Sequence, residues 1–179
     1  MKPVAGFVLC IGLATATDSA SAQHNGHSQQ QTQPYAGQET RTVTSLSQDE
    51  VDGFLAGKGM GLARPAELNG FPGPAHTLEL ADKLNLTPRQ LMLIESARDK
   101  MTKRAQEAGA RYIAAEKAVD ELMRTAAPDV AEVAKRIAVA DAVRAEARMV
   151  HISAHLEITP ILSEEQRAKY AALRGYANR

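Results

Sequence analysis

The residues best suited to chemistry are two histidines in the segment HISAH, His151 and His155. Four residues apart on a helix, their rings lie on one face, one turn apart. Two imidazoles so placed can supply two nitrogen ligands to Zn, Ni, Co or Cu. A stable site needs at least one more. The best candidate is His76 in PAHTLEL, with Glu79 three residues on and on the same side of its helix; Glu67 and Glu157 are weaker candidates. No glutamate stands between His151 and His155, so the segment is not the HExxH pattern of zinc proteases. The other reading of the pair is two histidines at the border of a core, hydrogen-bonded to carboxylates or water. His24 and His27 lie in a polar stretch near the start and read as a solvated arm or a loose metal-scavenging tail.

A second constellation is cationic. Arg98, Lys100, Lys103, Arg104 and Arg111 recur along one predicted helix, with Asp99 and Glu107 among them and Met101 beside them. Such a run is ordinarily a solvated face with pairs four residues apart. On a concave surface it could instead steer unfolded segments toward adaptable apolar contacts such as methionine. Arg98, Lys100, Met101, Arg104 and Arg111 are therefore the candidate client-binding residues.

The elements that must position these groups are helical. Residues 1–22 have a lysine near the start, a short apolar run and then Ala20-Ser21-Ala22, the order of a secretory signal peptide cleaved near Ala22. The run is too short to cross a bilayer, so the expected mature protein is periplasmic and not membrane-spanning. Cys10, the only cysteine, falls in this segment, which leaves the mature chain without disulfides or thiolate ligands. Residues 23–44 are rich in Gln, His, Ser and Thr and are expected to form a flexible polar arm. Residues 45–179 are expected to form a single helical domain. The full chain has 21 cationic and 21 anionic side chains, and removing Lys2 and Asp18 leaves 20 of each, a balance that gives no case for a nucleic-acid partner.

Within that domain, SQDEVDGFLAGKGMG predicts a short helix capped by Ser47 with Glu50 and closed by glycines. A turn-rich connector follows, then a helix from Pro74 with Leu78, Leu80, Ala81 and Leu84 on its apolar side. From Leu91 to Leu122, apolar residues recur at steps of three and four, the stripe of a helix of about ten turns. TAAPD interrupts it. A second long helix then carries Val130, Val133, Ile137, Ala140, Val143, Ala147, Val150, Ala154 and Ile158 on one stripe. A short link between two long amphipathic helices predicts an antiparallel hairpin. Ala145, Met149, Ile152 and Leu156 form a separate apolar strip on the second helix. It needs a partner, either the shorter helices or a second copy in a homodimer.

Two segments repeat one device: LTPRQ, with Leu86, Thr87 and Gln90, and LSEEQ, with Leu162, Ser163 and Gln166. Each is a capping box, and each opens an amphipathic helix. This pair resembles the LTxxQ motif of the Spy/CpxP family of periplasmic proteins, which includes refolding chaperones and heavy-metal sensors. The similarity runs from PYAGQ at Pro34 to ALRGY ending at Tyr176, and Ser163 replaces the usual threonine. The resemblance implies an all-α fold on a long hairpin, cradle-like and often dimeric, with no catalytic chemistry.

The chain has no phosphate-binding loop: GKGMG lacks the lysine-hydroxyl pair and helix that would make one. No Ser/His/Asp order stands out, so no catalytic residue is assigned and the chain is not expected to be an enzyme. No cofactor is required; Zn, Cu, Ni or Co is the possible ligand. Three readings remain. The first is an ATP-independent envelope-stress chaperone that holds partly unfolded proteins. The second is a heavy-metal sensor or metal-binding resistance protein. The third is a non-catalytic inhibitory partner of an envelope signalling protein.

Overall fold

A computed structural model describes residues 33–176. The expected signal peptide, most of the expected arm with His24 and His27, and the last three residues lie outside the described residues. The protein is mostly helical; the described residues form seven helices, two of them long, and no strand. None of these helices is long and apolar enough to cross a membrane.

Helix α1 (Gln48–Leu55) starts at the Ser47 box: Ser47 Oγ accepts from Glu50 N at 3.2 Å, and Glu50 Oε2 accepts from Ser47 N at 2.9 Å. Short helices α2 (Arg64–Glu67), α3 (Pro74–Glu79) and α4 (Ala81–Leu84) form the connector. The sequence predicts one helix from Pro74 to Leu84. The chain instead breaks at Leu80, which leaves helical geometry (φ −102°, ψ 11°), and stops at Asn85 in the left-handed region. Asn tolerates that conformation because its side chain is short and polar.

Helix α5 (Pro88–Met123) has 36 residues, the ten turns that the periodicity predicts. Helix α6 (Val130–Ile158) follows, capped by Asp129, whose side chain accepts from Glu132 N at 2.9 Å. A single 3-10 turn (Thr159–Ile161) then leads to α7 (Glu164–Leu173).

Two apolar clusters hold these elements. In one, Ile94 and Ala97 of α5 pack with Ile158 and Leu162, flanked by Leu78, Leu86 and Ile161. In the other, Phe54 of α1 and Tyr112 of α5 meet edge to face at 4.9 Å, with Ala140 of α6 beside them. Between the clusters, buried Ala105, Ala108, Ala147 and Ala154 keep the facing surfaces small. Full burial of Ile94 and Ile158 stabilises the fold by about 1.5–3 kcal/mol each.

The stripe of α6 is buried only in part. Ala147, Val150, Ala154 and Ile158 are covered, whereas Val130 and Ile137 near the start of the helix are exposed. The separate strip also faces solvent: Ala145, Met149 and Leu156 are exposed and Ile152 is half-buried.

The end of the expected arm differs from a free coil. Residues 33–44 form turns, and Val43, only 1% exposed, joins the cluster of Phe54 and Tyr112. Thr44 N donates to Asp120 Oδ2 at 2.7 Å, Thr44 Oγ1 also donates to Asp120, and Ser45 Oγ donates to Glu116 Oε2 at 2.7 Å. Within the expected arm, Val43 and Thr44 make these contacts although the average composition there is polar, and Ser45 just beyond it adds another.

Candidate functional site

The two repeated boxes fold as predicted and are also joined to each other. Thr87 Oγ1 accepts from Gln90 N at 3.2 Å, and Gln90 Oε1 accepts from Thr87 N at 3.0 Å. Ser163 Oγ accepts from Gln166 N at 3.1 Å, and Gln166 Oε1 accepts from Ser163 N at 2.9 Å. Across the pair, Gln90 Nε2 donates to Gln166 Oε1 at 2.8 Å, and Gln166 Nε2 donates to Gln90 Oε1 at 3.2 Å. Each amide spends its remaining donor on a backbone carbonyl of the other side: Gln90 on Ile161 O at 2.8 Å, Gln166 on Leu84 O at 3.3 Å.

Every donor and acceptor position of both amides is therefore used. Glutamate serves equally well in an isolated box, as Glu50 does in α1, but it could not donate to a carbonyl. The clasp thus supplies a physical reason for glutamine in the motif. Leu86 and Leu162 pack in the apolar cluster directly beneath it.

The histidines are brought to one cleft of about 500 Å³, whose walls include His76, His151, His155, Glu67, Met60 and Met101. Its centre is Glu67, whose side chain is 11% exposed. Tyr170 Oη and Tyr176 Oη donate to Glu67 Oε1 at 2.6 and 3.0 Å, and Gly73 N donates to Oε2 at 3.1 Å. His76 Nδ1 lies 3.5 Å from Oε1, and His155 Nδ1 lies 3.6 Å from Oε2. Arg174 Nε lies 3.7 Å from Oε1 and is buried with no hydrogen bond of its own. Burial, then the bond to Glu67, raises the Tyr170 hydroxyl far above the ordinary phenol range, so it stays a donor.

The tautomers follow from these partners. His155 Nδ1 lies 2.8 Å from Phe71 O, which can only accept, so Nδ1 carries the proton and Nε2 keeps its lone pair. His76 Nε2 accepts from Arg174 Nη2 at 3.5 Å, which leaves its proton on Nδ1 facing Glu67. His151 is 4% exposed and has no hydrogen-bond partner among the described residues. Burial, and then the neighbouring His155, lowers its pKa and keeps the ring neutral. The backbone comes close here: a Cβ on Gly73 would stand 3.0 Å from His155 Nε2.

The free imidazole lone pairs thus belong to His151 and His155. His76 reaches the cleft but is engaged with Arg174 and Glu67. Glu79 and Glu157 are exposed and do not line the cleft. The carboxylate at the cleft is Glu67 rather than Glu79: within α3, His76 lines the cleft while Glu79 is exposed. No three His, Cys, Asp or Glu side chains are grouped to hold a metal ion among the described residues. Tyr170, Arg174 and Tyr176 had no spacing signal in the sequence, since they lie about a hundred residues from Glu67.

The cationic run of α5 is divided. Arg98 pairs with Asp99 at 2.8 Å, and Arg111 reaches Glu146 of α6 at 2.6 Å. Lys100, Lys103 and Arg104 stay exposed, while Met101 is half-buried in the wall of the histidine cleft. Arg111 links the two long helices, which accounts for its charge without a client. Comparison of the chain with family models, with curated proteins and with solved structures finds no match.

Proposed function

We propose that this protein is an exported, ATP-independent chaperone of the Spy/CpxP type that holds partly unfolded envelope proteins. The observation that carries the reading is the strip of Ala145, Met149 and Leu156, left uncovered on a long, rigid helix. Exposed apolar residues in such a row fit a surface that takes up apolar segments of other chains. Methionine suits the task because its flexible thioether adapts to varied contacts. The clasped pair of motif glutamines supports the family resemblance.

In this proposal α5 and α6 form an antiparallel hairpin. The pairing of Ile94 with Ile158 and of Tyr112 with Ala140 in the two clusters supports that order. A homodimer would extend the two hairpins into a cradle. The test is light scattering of several unrelated aggregating clients with the purified mature protein and no nucleotide. Suppression near stoichiometric amounts is expected. No suppression of any client at molar excess would sink the reading.

A second reading, metal binding at the histidine cleft, is favoured by one observation. His155 donates Nδ1–H to a backbone carbonyl, the orientation typical of metal-ligating histidines, and His151 is neutral, buried and unpartnered. These residues fit two of the ligand positions that a stable Zn, Cu, Ni or Co site needs. Calorimetry with each ion tests it. Binding that is lost in the double variant His151→Ala, His155→Ala supports the reading; heats unchanged by that variant contradict it.

A further inference from the structure

Around one groove, three arginines make no ion pair among the described residues. Arg64 of α2 and Arg144 and Arg148 of α6 line a groove of about 490 Å³, with Ala145, Met60 and a single carboxylate, Asp141. All three arginines are exposed, and none makes an ion pair or hydrogen bond among the described residues. Arg98, Arg111, Arg124 and Arg136, by contrast, each pair with a carboxylate. The groove therefore carries an excess of positive charge on a chain whose formal net charge is zero. Its one additional counter-charge is Glu50 of α1, which lines the adjoining hollow with Arg144 and feels that arginine. The Arg64 side chain passes close over Gly61: its Nη2 lies 3.1 Å from where a Cβ there would stand.

The groove runs into the uncovered apolar strip. At about 100° per residue, Arg144, Arg148, Ile152, Ala145, Leu156 and Met149 follow one another around a single face of α6. Cations occupy one margin of that face and apolar side chains the other. Ala145 belongs to both, since it lines the groove and stands in the strip. The guanidinium fork matches a carboxylate in two-point contact, and the strip matches the neighbouring apolar side chains.

We infer that this face, the outward face of α6 continued by Arg64, docks extended polypeptide segments in which a carboxylate stands beside apolar residues. The inference rests on the holding function proposed above and names its client class. Charge brings the segment in quickly, and the strip retains it. Segments with basic residues beside the same apolar side chains meet Arg64, Arg144 and Arg148 and are disfavoured.

The experiment uses the full mature chain and three fluorescent peptides of equal apolar content with acidic, neutral or basic flanks, plus an acidic peptide with no apolar residues. Fluorescence anisotropy is read at low and high salt. The acidic-apolar peptide should bind about tenfold tighter than the basic one, and the gap should close at high salt. Arg144→Glu with Arg148→Glu should abolish or invert the preference. Arg64→Glu, on a different helix, should reduce it with α6 untouched. Met149→Asp should weaken all apolar peptides alike. Circular dichroism identical to that of the parent chain verifies the fold of each variant.

A preference that survives charge reversal overturns the inference. So does equal binding of the acidic peptide without apolar residues, which would make the groove a simple anion site. If sedimentation shows Met149→Asp dissociating a dimer while peptide binding is unchanged, the face joins two copies of this chain and the inference falls. The two proposals also fail differently. Suppressed aggregation that is indifferent to charge reversal removes the client class alone, whereas no suppression of any client removes the holding function.

Discussion

Replacing Gln90 with Glu tests the physical role of the clasp, because it keeps the capping box and removes the two cross-links that Gln90 donates. A glutamate at the third helical position still accepts from the cap, as Glu50 does in α1. It cannot donate, so the bonds to Ile161 O and Gln166 Oε1, both 2.8 Å, are lost. Each such bond contributes about 0.5–1.5 kcal/mol net. Leaving a half-buried carbonyl unpartnered and setting a carboxylate against Gln166 Oε1 costs about 1 kcal/mol more. The sum is about 3 kcal/mol.

For a domain of about 150 residues each kcal/mol moves Tm by about 2–4 °C, so melting should fall by ~6–12 °C. The folded state disfavours the new charge and raises the pKa of that carboxyl above its unfolded value. Gln90→Glu is therefore least harmful in acid, and the deficit grows as pH rises through that range. The assay is thermal and urea unfolding followed at 222 nm, with Glu50→Gln as the control in an unclasped box. A Gln90→Glu protein within about 0.5 kcal/mol of the parent, or no worse than the control, would refute the reasoning.

Other outcomes follow from the same geometry. Because burial lowers the pKa of His151, the unfolded chain binds its proton more readily; stability is full above about pH 6.5 and falls as pH drops below it. Unfolding midpoints between pH 5 and 7.5 measure this, and His151→Leu should flatten the slope. Gly109→Ala should destabilise α5 by at least about 2 kcal/mol despite the higher helix propensity of alanine, since the new Cβ would stand 2.5 Å from Phe54 O; urea unfolding checks the sign. Tyr170→Phe removes a 2.6 Å bond to a carboxylate and should cost about 1.5–3 kcal/mol, read by the same assay, while Tyr176→Phe, at 3.0 Å, should cost less.

Periodicity and capping chemistry made the helices readable in advance. The stripe from Leu91 to Leu122 and the caps at Ser47, Thr87 and Ser163 are local signals, and α1, α5 and α7 start where those caps stand. What escaped was non-local. Nothing near Gln90 announces that its second donor reaches Ile161 and Gln166. Nothing near Glu67 announces two tyrosines and an arginine from the far end of the chain. His76, His151 and His155 line one cleft while Glu79 is exposed outside it, and the spacing in PAHTLEL does not say which part of that helix face is packed. The buried Val43 was hidden by the polar composition around it. Free arginines are equally illegible, since a sequence shows charges without showing which are already paired.

The central claim is that the uncovered strip of α6 grips unfolded chains. A photo-crosslinking residue placed at Met149, mixed with one client in its folded and its denaturant-diluted form, tests it most directly. The account predicts strong crosslinks to the unfolded form and few to the folded one, with little product from the same residue at exposed Lys135. Equal crosslinking of both forms, or none from Met149, would contradict it.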